Sequence, residues 1–299
     1  MQTFTFKSSN EINTVQGYIF ECENPKAILQ ISHGMCEYFL RYTKFAEYMN
    51  KNGFIVCGND HIGHGKSISK SSDRGFFAQN NGHNYLIDDL HKVTTVIKEK
   101  YPNLPLILLG HSMGSLILRY YLTKYAYELN GAIICGTIGP NPTNKVSKLI
   151  CNMFVKIKGA KTPSPFLDAM AFGSFNKKIS PLKTEKDWLT RDSDIVNKYI
   201  NDENCMFVFT TSAFRDVSTL LDIVSKKMPP QNLPVLMISG KEDPCGDYGK
   251  GILKLYNMYN KSIKDLTLKL YEGCRHEILN ELNNEEIYSD INVWCQKHI

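Results

Sequence analysis

The chain has 299 residues, 42% of them apolar and 22% charged, a composition typical of a globular protein with room for one large α/β domain or two smaller ones. Its formal net charge of +5 is too small to indicate a nucleic-acid-binding protein. The N-terminus lacks the apolar core of a signal peptide and no apolar run is long enough to span a membrane, so a cytoplasmic protein is expected.

The predicted elements begin with two alternating segments, residues 3–7 and 14–22, which are typical of exposed antiparallel strands. Buried strands and amphipathic helices then alternate along the chain. The strands are predicted at 27–34, 54–60, 106–110, 131–136, 234–240 and 266–271, and the helices at 42–52, 85–101, 112–124, 249–260 and up to 296. Alternation of this kind predicts an α/β fold, with a parallel sheet covered by helices on both faces.

The alternation stops between Gly136 and Pro234, and this segment is called the insert below. It contains the basic excess of the chain, since residues 141–200 have eleven Lys and Arg against five Asp and Glu. We expect it to cover the C-terminal edge of the strands, where open α/β sheets bind ligands. The corresponding division is a core at 1–140, a lid at 141–225 and the rest of the core at 226–299.

One helix of the insert has apolar residues on a single face, at Val146, Leu149, Ile150, Met153, Phe154 and Ile157. Lysines flank this stripe at positions 145, 148, 156 and 158. The stripe could rest on an anionic membrane, or it could simply cover a pocket of the same chain. We favour the second interpretation, because most amphipathic helices pack against their own protein.

The most informative motif is Gly110-His111-Ser112-Met113-Gly114, which stands between a buried strand and a helix. In that context Gly-x-Ser-x-Gly is typical of a nucleophile elbow. Glycines at 110 and 114 lack Cβ atoms, so the strand can turn abruptly into the helix while the serine adopts strained backbone geometry. Ser112 is therefore predicted to lie at a helix N-terminus, where backbone N–H groups favour developing negative charge.

A serine hydroxyl needs a base to take its proton and an acid to orient that base, and after an elbow these follow in the order acid, then histidine. His276 fits, because it directly follows the last predicted strand. The other seven histidines precede the elbow, lie within it or end the last helix. Asp243 is preferred as the acid over Glu242 and Asp247, because Pro244 would stiffen its loop.

Two backbone N–H groups are expected to stabilise a tetrahedral oxyanion, those of Met113 and of Met35, where Gly34 permits close backbone approach. Substrate contacts are expected from Gly34, His111, Phe154 and Phe172.

A metal site formed by His33, His61 and His64 is the main competing interpretation of the histidine-rich loops. No carboxylate or thiolate stands at the usual zinc spacing, and the segment is a glycine-rich loop. We therefore expect neither a metal nor a cofactor. Nine cysteines, an odd number without a C-x-x-C pair, indicate free thiols.

Four motifs in order resemble the monoacylglycerol lipase and lysophospholipase branch of the α/β-hydrolases. They are His33-Gly34-Met35-Cys36-Glu37, Asp60-His61-Ile62-Gly63-His64-Gly65-Lys66-Ser67, the elbow, and Cys274-Arg275-His276-Glu277. The resemblance spans essentially the whole chain. It implies an α/β-hydrolase fold, with a mostly parallel eight-stranded sheet, helices on both faces and a helical lid inserted after the sixth strand.

The resemblance also implies a site and an activity. It gives Ser112, Asp243 and His276 as nucleophile, acid and base, with Met35 and Met113 as oxyanion donors. Two positions depart from mammalian monoacylglycerol lipases: Ser115 replaces a glycine and Tyr38 replaces a histidine.

The sequence therefore predicts a serine ester hydrolase that works through an acyl-enzyme on monoacylglycerols, lysophospholipids or related single-chain acyl esters. No nucleic-acid partner is expected, contact with a membrane surface through the lid stays open, and the oligomeric state is not predicted. An aminopeptidase-like enzyme is one alternative, but it needs an acidic patch for the free amine, and the basic insert argues against that. A non-catalytic receptor on the same scaffold is the other, and the complete triad disfavours it.

Overall fold

A computed structural model of the chain describes residues 1–141 and 144–299. Within these residues the chain forms eight strands and nine α-helices. The strands are β1 Gln2–Lys7, β2 Thr14–Phe20, β3 Ala27–Ser32, β4 Phe54–Asn59, β5 Leu106–His111, β6 Gly131–Cys135, β7 Val235–Gly240 and β8 Leu266–Tyr271. The helices are α1 Thr43–Lys51, α2 Gly82–Lys100, α3 Met113–Tyr125, α4 Asn144–Lys158, α5 Pro165–Phe172, α6 Ser193–Ile200, α7 Thr211–Val224, α8 Lys250–Tyr259 and α9 Asn284–Lys297.

All eight strands belong to one sheet, in the order β1-β2-β4-β3-β5-β6-β7-β8. β1 pairs antiparallel with β2 and β2 antiparallel with β4, whereas the remaining neighbours are parallel. The expectation of an eight-stranded, mostly parallel sheet that begins with antiparallel edge strands is confirmed.

Each face of the sheet has its own apolar core, as strand periodicity requires. On β5, Leu106 and Leu108 pack into the core shared with α2, α3 and α8. Ile107 and Leu109 point to the other face, where α1 and α9 cover them. All four side chains are fully buried, which is typical of a central strand in a parallel sheet.

The insert contributes α4 to α7 between β6 and β7. The one-sided apolar helix is present as α4, and it packs against α7, where Cys151 Sγ lies 3.6 Å from Ser218 Oγ. Four of the six stripe residues are exposed: Leu149 at 70%, Ile157 at 68%, and Val146 and Met153 as well. The other two, Ile150 and Phe154, are half-buried and pack against the core. The expectation that the stripe simply covers a pocket of the same chain is therefore wrong for the four exposed residues, because in the described chain α4 packs mainly against one helix.

No helix in the described residues combines the length and hydropathy that a bilayer crossing needs. The nine cysteines all lie in the described part of the chain and are all free thiols, as expected.

Candidate active site

Ser112 lies at the turn between β5 and α3, with a left-handed backbone conformation at φ 53°. Two glycines make the turn sterically feasible. A Cβ at Gly110 would lie 2.4 Å from the carbonyl oxygen of Gly114, and a Cβ at Gly114 would lie 2.0 Å from that of Ser32. The strained residue is held by the sheet, since its N–H donates to the Cys135 carbonyl at 3.0 Å.

The hydroxyl of Ser112 belongs to a continuous hydrogen-bond chain with the two other residues that the sequence predicts. Its Oγ lies 2.9 Å from Nε2 of His276. On the other side of the ring, Nδ1 lies 3.0 Å and 3.1 Å from the two carboxylate oxygens of Asp243. Because the carboxylate accepts from Nδ1–H, Nε2 keeps its lone pair for the serine proton.

The structure separates Asp243 from its acidic neighbours. Its carboxylate is fully buried, and it also accepts hydrogen bonds from the Cys245 N–H at 2.8 Å and the Ser239 hydroxyl at 3.3 Å. Glu242 is exposed, whereas Asp247 adopts a left-handed conformation farther along the loop.

The backbone of Gly34 and Met35 lies opposite the elbow. A Cβ on Gly34 would lie 3.0 Å from Cβ of Ser112, so the two segments are in close contact. In the described residues neither the Met35 N–H nor the Met113 N–H donates to another part of the chain. Both donors are thus available at the wall of the cavity that Ser112 also lines.

Below this wall lies a buried carboxylate, Glu37. One of its oxygens accepts from the Gly34 N–H at 2.5 Å, from the Tyr42 hydroxyl at 2.9 Å and from Nδ1 of His111 at 3.1 Å. The other oxygen accepts from Arg41 at 3.1 Å. Burial alone would raise the pKa of Glu37, but hydrogen bonding and positive charge from His111 and Arg41 outweigh it and hold that pKa well below its usual range.

Arg41 connects the Glu37 carboxylate to the loop after β8 that carries His276 and Glu277. Its guanidinium makes a bidentate pair with Glu277 at 2.6 Å and 2.7 Å, and Glu277 directly follows the histidine of the hydrogen-bond chain. His111 closes the network, because its Nε2 lies 3.2 Å from the carbonyl oxygen of His276. Burial disfavours a charged ring at His111, but the Glu37 carboxylate outweighs it and raises the His111 pKa.

A cavity of about 800 Å³ opens above Ser112. Of the four expected substrate contacts, Gly34, His111 and Phe172 line it. Phe154 is not among the described residues that do so, and it stacks instead on Phe166 with ring centroids 5.2 Å apart. The substrate contact of Phe154 therefore stays a prediction, since in this structure Cys151 faces the cavity from α4 and Phe154 packs against Phe166 of α5.

Trp188 is a site neighbour whose position the sequence did not predict. Its ring centroid lies 5.1 Å from that of His276, and Phe172 and Phe175 pack around it. Its carbonyl oxygen accepts the His276 N–H at 3.4 Å. Trp188 is the lone tryptophan of the insert. A single large aromatic residue in this segment was the sequence feature that could have identified it as a neighbour of the site.

The sheet order and the Ser–His–Asp hydrogen-bond chain at its C-terminal edge define an α/β-hydrolase. A family model described as serine aminopeptidase, S33 matches residues 23–283, and the chain belongs to this family. The expectation of a hydrolase is thus confirmed.

Individual relatives are similar to this chain over nearly its full length. Rat monoglyceride lipase is 29% identical, with 92% of this chain and 84% of the relative covered. The phospholipase YtpA of Bacillus subtilis is 24% identical and covers 94% of this chain and 100% of its own. The structure of a thermostable carboxyl esterase from Bacillus coagulans in complex with glycerol superposes with a TM-score of 0.93 at 28% identity, covering 99% of this chain and 98% of that one.

Proposed function

We propose that the protein is a serine ester hydrolase in which Ser112 is acylated and then deacylated by water. The observation that carries the proposal is the unbroken chain from Ser112 through His276 to Asp243, with hydrogen bonds of 2.9 Å and 3.0 Å. His276 takes the serine proton during attack on the ester carbonyl and returns it to the leaving alcohol. Asp243 orients the imidazole and stabilises the imidazolium that forms.

The backbone N–H groups of Met35 and Met113 hold the oxyanion of the tetrahedral intermediate. Oxyanion donors are worth about 3–4 kcal/mol of transition-state stabilisation each. Three observations support this role: both N–H groups are free of partners in the described chain, both residues line the cavity, and Met113 opens α3.

The proposed substrates are esters with a single acyl chain, such as monoacylglycerols and lysophospholipids. The cavity is large enough for one lipid chain, and the insert gives it apolar walls through Leu167, Met170 and Phe172. Charged residues of the insert, Asp168 and Lys186, line the same cavity and offer partners for a polar headgroup. The name of the rat relative, monoglyceride lipase, points to the same substrate class, and that of the Bacillus subtilis relative points to a phospholipid.

Initial rates on monooleoylglycerol, lysophosphatidylcholine and trioleoylglycerol, each in the same detergent, test the substrate class. We expect one of the single-chain lipids to be cleaved at least about tenfold faster than trioleoylglycerol, because the cavity has room for one chain. The Ser112→Ala variant should lose at least about three orders of magnitude on every ester. Equal rates on trioleoylglycerol would refute the single-chain proposal and leave the nucleophile assignment untouched.

An aminopeptidase is the second candidate, because the carboxylates of Asp168 and Glu185 line the cavity and could bind a free amine. Lys186 lies beside them and partly neutralises this pair, with Nζ 3.7 Å from Glu185. Amino-acid p-nitroanilides distinguish the two activities: cleavage of a free-amine substrate, but not of its N-acetylated form, at a rate above that of any ester would establish the peptidase.

We further infer that the exposed side of α4 rests on an anionic lipid surface. Val146, Leu149, Met153 and Ile157 form a continuous exposed apolar row along the helix, and Phe166 on α5 extends it. Lysines 145, 148, 156 and 158 belong to the same helix. An apolar row beside basic side chains is the pattern of a helix that lies in the interface of a membrane.

Co-sedimentation with vesicles of phosphatidylglycerol or of phosphatidylcholine tests this placement. Replacing Leu149 and Ile157 by Ser removes two exposed apolar side chains, and we expect partitioning to fall about tenfold or more. Leu253→Ser on α8 is the control, because Leu253 is also exposed but lies outside the insert. Partitioning that depends neither on lipid charge nor on the double substitution would remove the membrane proposal.

A further inference from the structure

We propose that Cys245 and His276 form a binding site for a soft divalent metal ion such as Zn²⁺, and that occupation of this site reversibly inhibits the enzyme. The inference rests on the proposed function, which assigns His276 as the catalytic base. The metal ion binds the same ring nitrogen, Nε2, that takes the serine proton. A carboxylate oxygen of Asp243, Sγ of Cys245 and a ring nitrogen of His276 all lie within 4.8 Å of one another. In the described residues no other three His, Cys, Asp or Glu side chains have their ligand atoms within this distance of one another.

The distance between the two proposed ligand atoms suits a zinc ion. Sγ of Cys245 lies 3.9 Å from Nε2 of His276. Zn–S and Zn–N bonds of about 2.3 Å and 2.0 Å at a tetrahedral angle would place these atoms about 3.5 Å apart. A movement of a few tenths of an ångström of the Cys245 side chain closes that difference. Thiolate and imidazole are both preferred ligands of this metal.

Asp243 supplies the support that a zinc-bound histidine usually has. A metal-ligating imidazole commonly donates its other N–H to a carboxylate, which fixes the ring and raises its basicity. Nδ1 of His276 already makes that bond to Asp243 at 3.0 Å. The same carboxylate accepts the Cys245 N–H at 2.8 Å, so it orients both ligand residues at once.

The site is open to an ion from the cavity. Ser112, Cys245 and His276 all line its wall, so an ion that enters meets all three side chains. An ion on the Nε2 lone pair displaces Ser112 Oγ, which lies 2.9 Å from Nε2, so water from the cavity completes the coordination. The histidine trio that the sequence suggested offers no comparable set. His33 uses both ring nitrogens on backbone groups, and a ring nitrogen of His61 faces the Ser32 hydroxyl at 3.0 Å.

Inhibition follows from competition for one lone pair. In the resting triad Nε2 of His276 accepts the Ser112 proton, and a bound metal ion takes that lone pair instead. On binding, the S–H bond of Cys245 breaks, a sulfur–metal bond forms and the proton passes to solvent, with no change in oxidation state. Ser112 then has no base, so acylation stops until a chelator removes the ion.

Ester hydrolysis at buffered free Zn²⁺ concentrations, in a non-thiol reductant, tests the proposal. Native protein should be inhibited and should recover when EDTA is added. In Cys245→Ser the concentration for half-inhibition should rise at least about tenfold, because one ligand is lost. Cys274→Ser is the matched control: Cys274 lies two residues before His276, but its thiol points to Asn283 at 3.2 Å. Equal sensitivity of the native protein and Cys245→Ser would overturn the proposal.

Co²⁺ binding provides a readout that needs no turnover. Native protein should show a near-ultraviolet thiolate-to-cobalt charge-transfer band, which both Cys245→Ser and His276→Ala should lose while Cys274→Ser keeps it. A native protein without this band would refute the metal site. A protein that binds Co²⁺ through Cys245 but cleaves no ester would refute the proposed function and leave the metal site standing.

Discussion

The Glu37 carboxylate lies 3.1 Å from Nδ1 of His111, the residue directly before the elbow serine. The other ring nitrogen of His111 faces the His276 carbonyl at 3.2 Å. Both partners can only accept, so His111 donates from both nitrogens and is an imidazolium. The buried Glu37–His111 ion pair therefore connects three segments: the loop after β3 that carries Met35, the elbow, and the loop after β8 that carries His276.

Replacing Glu37 by Gln should slow acylation about tenfold, equivalent to about 1.4 kcal/mol in the barrier. The amide oxygen can still accept the Gly34 N–H, but the charge that keeps His111 protonated and pairs with Arg41 is gone. Stopped-flow measurement of the acylation phase with a p-nitrophenyl ester checks this prediction. Glu47→Gln on the exposed face of α1 is the control and should match the native rate. An unchanged rate in Glu37→Gln would show that the pair has no role in positioning.

Arg41→Met should destabilise the fold by about 3–5 kcal/mol, because it leaves the carboxylates of Glu37 and Glu277 buried without their shared cation. Equilibrium unfolding in urea measures this free energy. Lys44→Met, at an exposed position one turn farther along, should change it by no more than about 0.5 kcal/mol. A loss of less than about 1 kcal/mol in Arg41→Met would mean that Arg41 does not stabilise the two buried carboxylates.

The fold should lose stability as the pH falls below about 6.5, in part through His64. Burial, together with the neighbouring His33, lowers the pKa of His64 to about 3. An unfolded histidine titrates near pH 6.5, so between about pH 6.5 and 3 the unfolded chain binds a proton that the folded chain does not. The free energy of unfolding therefore rises with pH across this window, by up to about 1.4 kcal/mol per unit for this residue.

His64→Gln should reduce that slope between pH 6 and pH 4, as measured by urea unfolding at each pH. Phe77→Leu is the control, because Phe77 stacks on His64 with centroids 5.9 Å apart but has no titrating group. It should lower stability and keep the native slope. If His64→Gln kept the native slope as well, His64 would not be a neutral buried group.

The sheet and the triad were accessible from the sequence because both depend on local signals. Apolar runs of strand length and helical stripes fix the order of elements, and the elbow motif then sets where acid and base must follow. The boundaries moved by a few residues: α2 begins at Gly82, where residue 85 was expected, and β2 ends at Phe20, where 22 was expected. These differences do not move any residue of the hydrogen-bond chain.

The charged contacts could not be predicted, because they join distant parts of the chain. Arg41 and Glu277 are 236 residues apart, and no periodicity connects them. Arg119 stands on α3 among apolar residues, yet it is buried and donates to the backbone oxygens of Ile138 and Val224, near the two ends of the insert. The stripe on α4 shows a further limit, since periodicity reveals an apolar face but not what covers it.

Covalent labelling with a fluorophosphonate, followed by intact-mass and peptide mapping, reports directly whether Ser112 is the nucleophile. We expect one adduct per chain on Ser112, none on folded Ser112→Ala, and a labelling rate that falls by at least about tenfold in His276→Ala because the base is lost. An adduct on another residue, or labelling of folded Ser112→Ala at the native rate, would contradict this assignment.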